Sequence, residues 1–140
     1  MLNDLIIGIS QTLDKIFPDV TIYNEKIEEN FKEPCFFIKI LDGHQNKEIN
    51  TRYKKEISID VHYFSSENDI KTDCNSVADI LYDNLEYVKV NNSIFKVKMK
   101  HEVVDDVLHF YLDFSFHVVK VKTEIPKMKN LSKGVNLKVE

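Results

Sequence analysis

Residues 107–122 alternate more regularly than any other part of the chain, and that alternation limits what the rest can fold into. Leu108, Phe110, Leu112, Phe114, Phe116 and Val118 take every second position, with His109, Tyr111, Asp113, Ser115 and His117 between them. Successive side chains of an extended strand point to opposite faces, so this period of two means one apolar and one polar face. The apolar face needs a cover. The polar face, rich in histidine and tyrosine, does not read as a plain solvent surface. A long half-buried strand of this kind belongs in an antiparallel sheet covered on one side.

The other periodicities supply the partners and the cover. Over residues 2–17, Leu2, Leu5, Ile6, Ile9, Leu13 and Ile16 recur at three- and four-residue steps, which predicts an amphipathic helix ended by Pro18. An extended piece, 20–23, leads into an irregular acidic stretch, 24–33, whose apolar residues are Ile27 and Phe31. Pro34 opens a predicted strand over 35–41, Asp42-Gly43 reads as a turn, and 43–51 reads as a polar loop, long for a hairpin. A strand over 52–64 sets Ile57, Ile59, Val61 and Tyr63 against Glu56, Ser58, Asp60 and His62. The run 65–69 offers N-caps for a second helix reaching Leu85, with Ile70, Cys74, Val77, Ala78 and Leu81 on its stripe. Strands over 86–90 and 94–103 follow, and Asn91-Asn92 and Asp105-Asp106 read as hairpin turns. The expected class is α+β, an antiparallel sheet with two helices packed on one face. One domain is expected over 1–122, followed by a basic, extended or flexible tail over 123–140.

Composition narrows the function classes. At 140 residues there is room for one core, and a net charge of −4 argues against sequence-specific nucleic acid as a partner. Two cysteines, Cys35 and Cys74, are too few for a disulfide scaffold and read as reduced, buried small hydrophobes. The first residues lack the pattern of a signal peptide and no apolar run is long enough for a bilayer, so a cytosolic protein without a membrane partner is expected.

Candidate chemistry is sparse. Five histidines invite a metal hypothesis. His109, Asp113 and His117 share a strand face, but residues four apart on a strand lie about 13 Å from each other. Zinc ligands must all come within roughly 2.0–2.3 Å of the ion, so these three do not form a site by themselves. His62 or Asp60 on a neighbouring strand would change that, but the sequence does not reveal the pairing, and no metal or cofactor is expected. Three glycines are too few for a phosphate-binding loop. The carboxylates Asp105 and Asp106 suit a hairpin tip better than acid–base work. No catalytic residue is assigned, and the chain reads as a structural or binding component rather than an enzyme. Lys96, Lys98 and Lys100 form a basic stripe on one strand face, either solvated or paired with acids on an adjacent strand or subunit.

Several words of the sequence match a known family. They are Ile16-Phe17-Pro18-Asp19, Ile22-Tyr23 with Glu25, Phe31-Lys32-Glu33-Pro34-Cys35-Phe36-Phe37-Ile38, Arg52-Tyr53 and Asp60-Val61-His62-Tyr63-Phe64. After the second helix come Leu85-Glu86, Met99, Glu102 and Asp106-Val107-Leu108-His109-Phe110. Over about residues 1–122 the chain resembles the tail terminator proteins of bacteriophages and phage-tail-like particles. The resemblance implies an α+β subunit that assembles as a ring, typically a hexamer, on the head-proximal end of the tail tube. It implies that the ring stops tube polymerisation and meets neck or collar protein and, in contractile particles, the last sheath ring. It further implies assembly in the bacterial host cytoplasm and a place in the finished particle, whether phage or bacteriocin.

Contact residues expected for such a role are Ile27 and Phe31 as apolar anchors, His44, Lys47 and Arg52 in and beside the loop, and Tyr111 on the polar strand face. The stripe Lys96, Lys98 and Lys100 and the tail lysines Lys127 and Lys129 complete the set. A second class is a small acidic binding module, of immunity or antitoxin type, that neutralises a basic protein. It predicts a soluble one-to-one complex with no affinity for tail tubes. An enzyme using His62, His109 or His117 is the third class, to which stoichiometric zinc or iron would point.

Overall fold

The computed structural model describes residues 2–24 and 31–120. In chain order the elements are α1 (Leu2–Ile16), β1 (Thr21–Asn24), β2 (Cys35–Lys47), β3 (Arg52–Phe64), α2 (Ile70–Asn84), β4 (Tyr87–Val90), β5 (Ser93–Val104) and β6 (Val107–Val119). The alternating segment is β6, and it lies inside the sheet between β3 and β5, in the order β1-β2-β3-β6-β5-β4. Burial follows its pattern, with Leu108, Phe110, Leu112 and Phe114 in the core and the residues between them at least partly exposed.

Both helices pack on the inner face. Leu5, Ile9 and Leu13 of α1 and Cys74, Val77, Ala78 and Leu81 of α2 join Phe36, Ile38, Ile59, Val61, Leu108, Phe110, Leu112 and Phe114 in one buried cluster. Burying a large apolar side chain of this kind stabilises by about 1.5–3 kcal/mol, so this face carries most of the folding energy. The sheet curls into a half-barrel, and α1 touches both of its edge strands, β1 and β4. Gly8 makes the second contact possible: a Cβ there would stand 2.9 Å from the Lys89 carbonyl oxygen and 3.0 Å from Val90 Cγ2.

The caps follow from local chemistry. Asp69 caps α2 by accepting from the Thr72 backbone N–H at 3.3 Å and the Thr72 hydroxyl at 2.7 Å. These bonds hold the Asp69 carboxyl below its usual range. Asp73 accepts from the Tyr63 hydroxyl at 2.7 Å and the Ser65 hydroxyl at 2.5 Å, pinning α2 to the end of β3. Both expected hairpin turns are present, with positive φ at Asn91 (56°), Asp105 (52°) and Asp106 (63°), the conformation that Asn and Asp tolerate best after glycine.

Two expectations need correction. The sheet is mixed and not purely antiparallel, because β1 runs parallel to β2 with Thr21 opposite Cys35 and Tyr23 opposite Phe37. A four-residue strand has too little periodicity to declare its direction. The second correction concerns Asp42-Gly43, which is not a turn, and 43–51, which is not wholly a loop. β2 continues to Lys47, and a bulge between Ile40 and Asp42 absorbs one residue before the ladder resumes at Asp42 opposite Ser58. The reversal comes later: the Arg52 carbonyl accepts from Glu48 N–H at 2.8 Å, the Ile49 carbonyl accepts from Arg52 N–H at 3.0 Å, and Asn50 takes φ 57°. The tail expected over 123–140 lies outside the described residues.

Candidate functional site

The helices leave the other face of the sheet open, and register decides what meets there. β3 and β6 pair antiparallel with His62 opposite His109, Asp60 opposite Tyr111 and Ser58 opposite Asp113. Since the period is two, all six side chains point away from the helices. His62 Nε2 lies 2.6 Å from Asp60 Oδ2, and His109 Nδ1 lies 3.0 Å from the same oxygen. The Ser58 hydroxyl donates to Asp113 Oδ1 at 2.7 Å, and the Tyr111 hydroxyl donates to Glu102 Oε2 at 2.7 Å. The bond to Glu102, aided by burial, pushes the Tyr111 phenol up to about 12.

At one end this polar field gives way to aromatic rings. Tyr23 stacks on Phe37 with centroids 5.0 Å apart, Phe31 packs edge-on against Phe37 at 5.4 Å and tilted on Phe64 at 4.7 Å. The Tyr23 hydroxyl accepts from Lys32 N–H at 3.1 Å, so residues 31–32 fold back over this end. Phe37 and Cys35 are therefore buried although the helices do not cover them. Burial, with the Glu33 carboxylate as a smaller cause, pushes the Cys35 thiol up to about 11, and burial raises Cys74 as well. Both cysteines are free and buried.

At the opposite end β2 and β3 outrun the helices. A strand of 13 residues extends about 43 Å at 3.3 Å per residue, whereas a helix of 15 residues covers about 22 Å. The surplus forms a projecting arm, bordered by the end of β6 through the bond from Lys120 N–H to the Thr51 carbonyl at 2.9 Å. Glu48 Oε1 lies 3.2 Å from Arg52 Nε and 3.3 Å from His117 Nε2, and His44 Nε2 lies 3.1 Å from Glu56 Oε1.

Among the expected contact residues, the arm gathers His44, Lys47 and Arg52, all exposed. Lys96, Lys98 and Lys100 project from β5, with Lys98 opposite Asp113 and the Lys100 ammonium 5.3 Å from the Tyr111 ring centroid. Tyr111 stands between that stripe and Asp60. Phe31 is occupied within its own chain by Phe37 and Phe64. Ile27, Lys127 and Lys129 lie outside the described residues. Sequence reasoning missed the convergence of Asp60, His62 and His109, the Tyr23-Phe31-Phe37-Phe64 patch and the Glu48 node. Each is a cross-strand meeting, and only a signal for register would have exposed it.

Among the described residues no helix is long and apolar enough to cross a membrane. No curated protein matches the chain. Several solved structures are similar, one of them over 89% of this chain and 99% of its own, at 8% identity and a TM-score of 0.39. The model of a family described as phage tail terminator protein matches residues 4–126, taking in both helices, the open face and the arm. The chain thus belongs to the phage tail terminator family.

Proposed function

We propose that this protein is the structural terminator of a phage or contractile phage-tail-like particle, forming a hexameric ring on the head-proximal end of the tail tube. The ring ends tube polymerisation and offers neck or collar protein and the last sheath ring a surface to join. The family match over residues 4–126 is the observation that carries this reading, because members of that family are structural components of phage tails. The arm supports it. At its tip Ile49 is 74% exposed and Val119 67% exposed, beside the charged residues Lys47, Glu48 and Arg52. Apolar residues gathered with charges on a projecting limb suit a subunit or tube contact better than solvent.

The test is reconstitution with the cognate tube protein, followed by electron microscopy. The expected result is tubes of limited length with extra density at one end, and loss of that effect when Ile49 and Val119 are replaced by serine. Tubes that grow to the same length with the protein as without it, and carry none of it, would overturn the reading. A soluble one-to-one complex with a basic protein would favour the immunity or antitoxin type of module instead.

A further inference from the structure

We propose that Asp60, His62 and His109 form a binding site for one divalent transition-metal ion, of the zinc type, on the open face of the sheet. Three side chains from two adjacent strands bring their ligand atoms within 4.8 Å of one another. The contacts to Asp60 Oδ2 are 2.6 Å from His62 Nε2 and 3.0 Å from His109 Nδ1. A tetrahedral ion with bonds of about 2.0–2.2 Å holds its donors about 3.3 Å apart, so small side-chain rotations suffice to admit one. The two imidazoles approach at an angle, with ring centroids 4.4 Å apart and planes at 68°. That arrangement aims two nitrogens at a common point without stacking the rings.

The carboxylate supplies the second argument. Asp60 is 3% exposed, and its Oδ1 has no hydrogen-bond partner among the described residues. A buried carboxylate oxygen without a partner is costly, and an ion is one of the few things that offsets such a cost. The contacts from the two imidazoles reach only Oδ2. An ion between them would take the lone pairs of His62 Nε2 and His109 Nδ1, each ring keeping its one proton on its other nitrogen, and would be held by the carboxylate as well, whose Oδ1 then lies beside a dication. The side chains of His62 and His109 are 13% and 22% exposed, which leaves one side of the cluster open to solvent for entry and for a water ligand.

The donor set defines the class. Two imidazoles and one carboxylate suit zinc, cobalt, nickel or ferrous ions, whereas magnesium and calcium take oxygen ligands. Tyr111 stands opposite Asp60, and its hydroxyl is held by Glu102, itself opposite His109; Lys39 flanks Asp60 from β2. An ion here would cross-link β3 to β6 at the centre of the sheet, so its role is to stiffen the open face.

The experiment is calorimetric titration of the untagged, chelator-treated full chain with zinc chloride, with magnesium chloride as control and circular dichroism to verify folding. The expected result is one zinc per chain, no response to magnesium, and a raised unfolding midpoint with zinc. Affinity should fall at least tenfold in His109→Gln and in Asp60→Asn, and remain unchanged in His44→Gln and His117→Gln. Absence of stoichiometric zinc binding by the folded natural chain would overturn the proposal. So would binding that survives both His109→Gln and Asp60→Asn, since the cluster would then be a hydrogen-bonded triad only. Neither outcome bears on tube capping.

Discussion

The two faces of the sheet are built from the same strands and organised on different principles. The inner face is a continuous apolar surface in which Phe36, Ile59, Phe110 and Leu112 pack beneath two helices. The open face is a chain of separate meetings: aromatic rings at one end, Asp60 with two histidines in the middle, and ion pairs along the arm. Non-directional burial holds the first together, so its stability is spread over many residues. Pairwise geometry organises the second, so each meeting depends on two or three atoms and on the register that brings them together. This division leaves the inner face to hold the subunit, while the open face and arm stay uncovered by the helices.

The sharpest way to break the comparison is to truncate each face in turn. Phe110 is fully buried on β6, against the rings of Tyr82 at 4.8 Å and His101 at 6.5 Å. Phe110→Ala should cost about 3–5 kcal/mol through lost transfer energy and the cavity left behind. Urea denaturation followed by circular dichroism will read it. A loss under about 1 kcal/mol would mean that the inner face collapses around the gap and is less tightly packed than its burial suggests.

A smaller loss is expected where the inner face is closest to its helix. Gly8→Ala places a methyl 2.9 Å from the Lys89 carbonyl, a backbone atom that cannot rotate away. Alanine is otherwise the better helix former, by about 0.8–1.0 kcal/mol, so a helix free of β4 would gain from the change. Forced displacement of α1 should instead destabilise by about 1–3 kcal/mol, measured by the same denaturation. A gain in stability would show that α1 and β4 separate easily, and the half-barrel would lose its closing contact.

Legibility divides along the same line. The stripes of α1 and α2 and the alternation of β3 and β6 could be read directly, because burial imprints a period on composition. Asn91-Asn92 and Asp105-Asp106 were legible as turns for an equally local reason. What escaped reading depends on which residue faces which across strands. The bulge after Ile40 let Asp42-Gly43 pass as strand instead of turn, and the parallel β1 has only four residues in which to show itself. The triad of Asp60, His62 and His109 needed the single register in which 62 meets 109; a shift by one residue would have sent His109 to the other face.

On the open face, the Tyr111–Glu102 meeting predicts a dependence on alkaline pH. The Tyr111 phenol is raised to about 12 from its ordinary 10.0. A group whose folded value is raised stabilises fully below its unfolded value and loses that contribution as pH rises through the folded one. Stability should therefore decline between pH 10 and about 12, with tyrosinate absorbance lagging behind that of the unfolded chain. Burial and Asp73 also raise Tyr63, which strengthens the lag. Glu102→Ala should remove the part of the Tyr111 shift that Glu102 supplies, its largest part, and leave that of burial and Asp60 and all of that of Tyr63. If the variant titrates like the natural chain, the hydrogen bond does not hold the phenol and this meeting on the open face is looser than drawn.

The smallest effect belongs to the tip of the arm. Glu48 Oε1 is shared by Arg52 Nε and His117 Nε2, and the side chains of both partners are about half exposed, at 55% and 42%. Exposed ion pairs gain little against solvent and lose side-chain freedom, so Glu48→Gln should cost about 0–1 kcal/mol in the isolated subunit. The difference should shrink further as salt is raised, because the Debye length falls from about 10 Å at 0.1 M to about 3 Å at 1 M. Denaturation of both proteins at the two salt concentrations checks this. The same substitution tested in tube capping separates two ideas about the arm. If capping is lost while subunit stability is unchanged, Glu48 orders the tip for a partner and the open side is an interface written in individual charges. If stability falls by more than about 2 kcal/mol, the pair cannot be an ordinary exposed one. The arm would then be part of the subunit's own framework, and the contrast between the two faces would end before it.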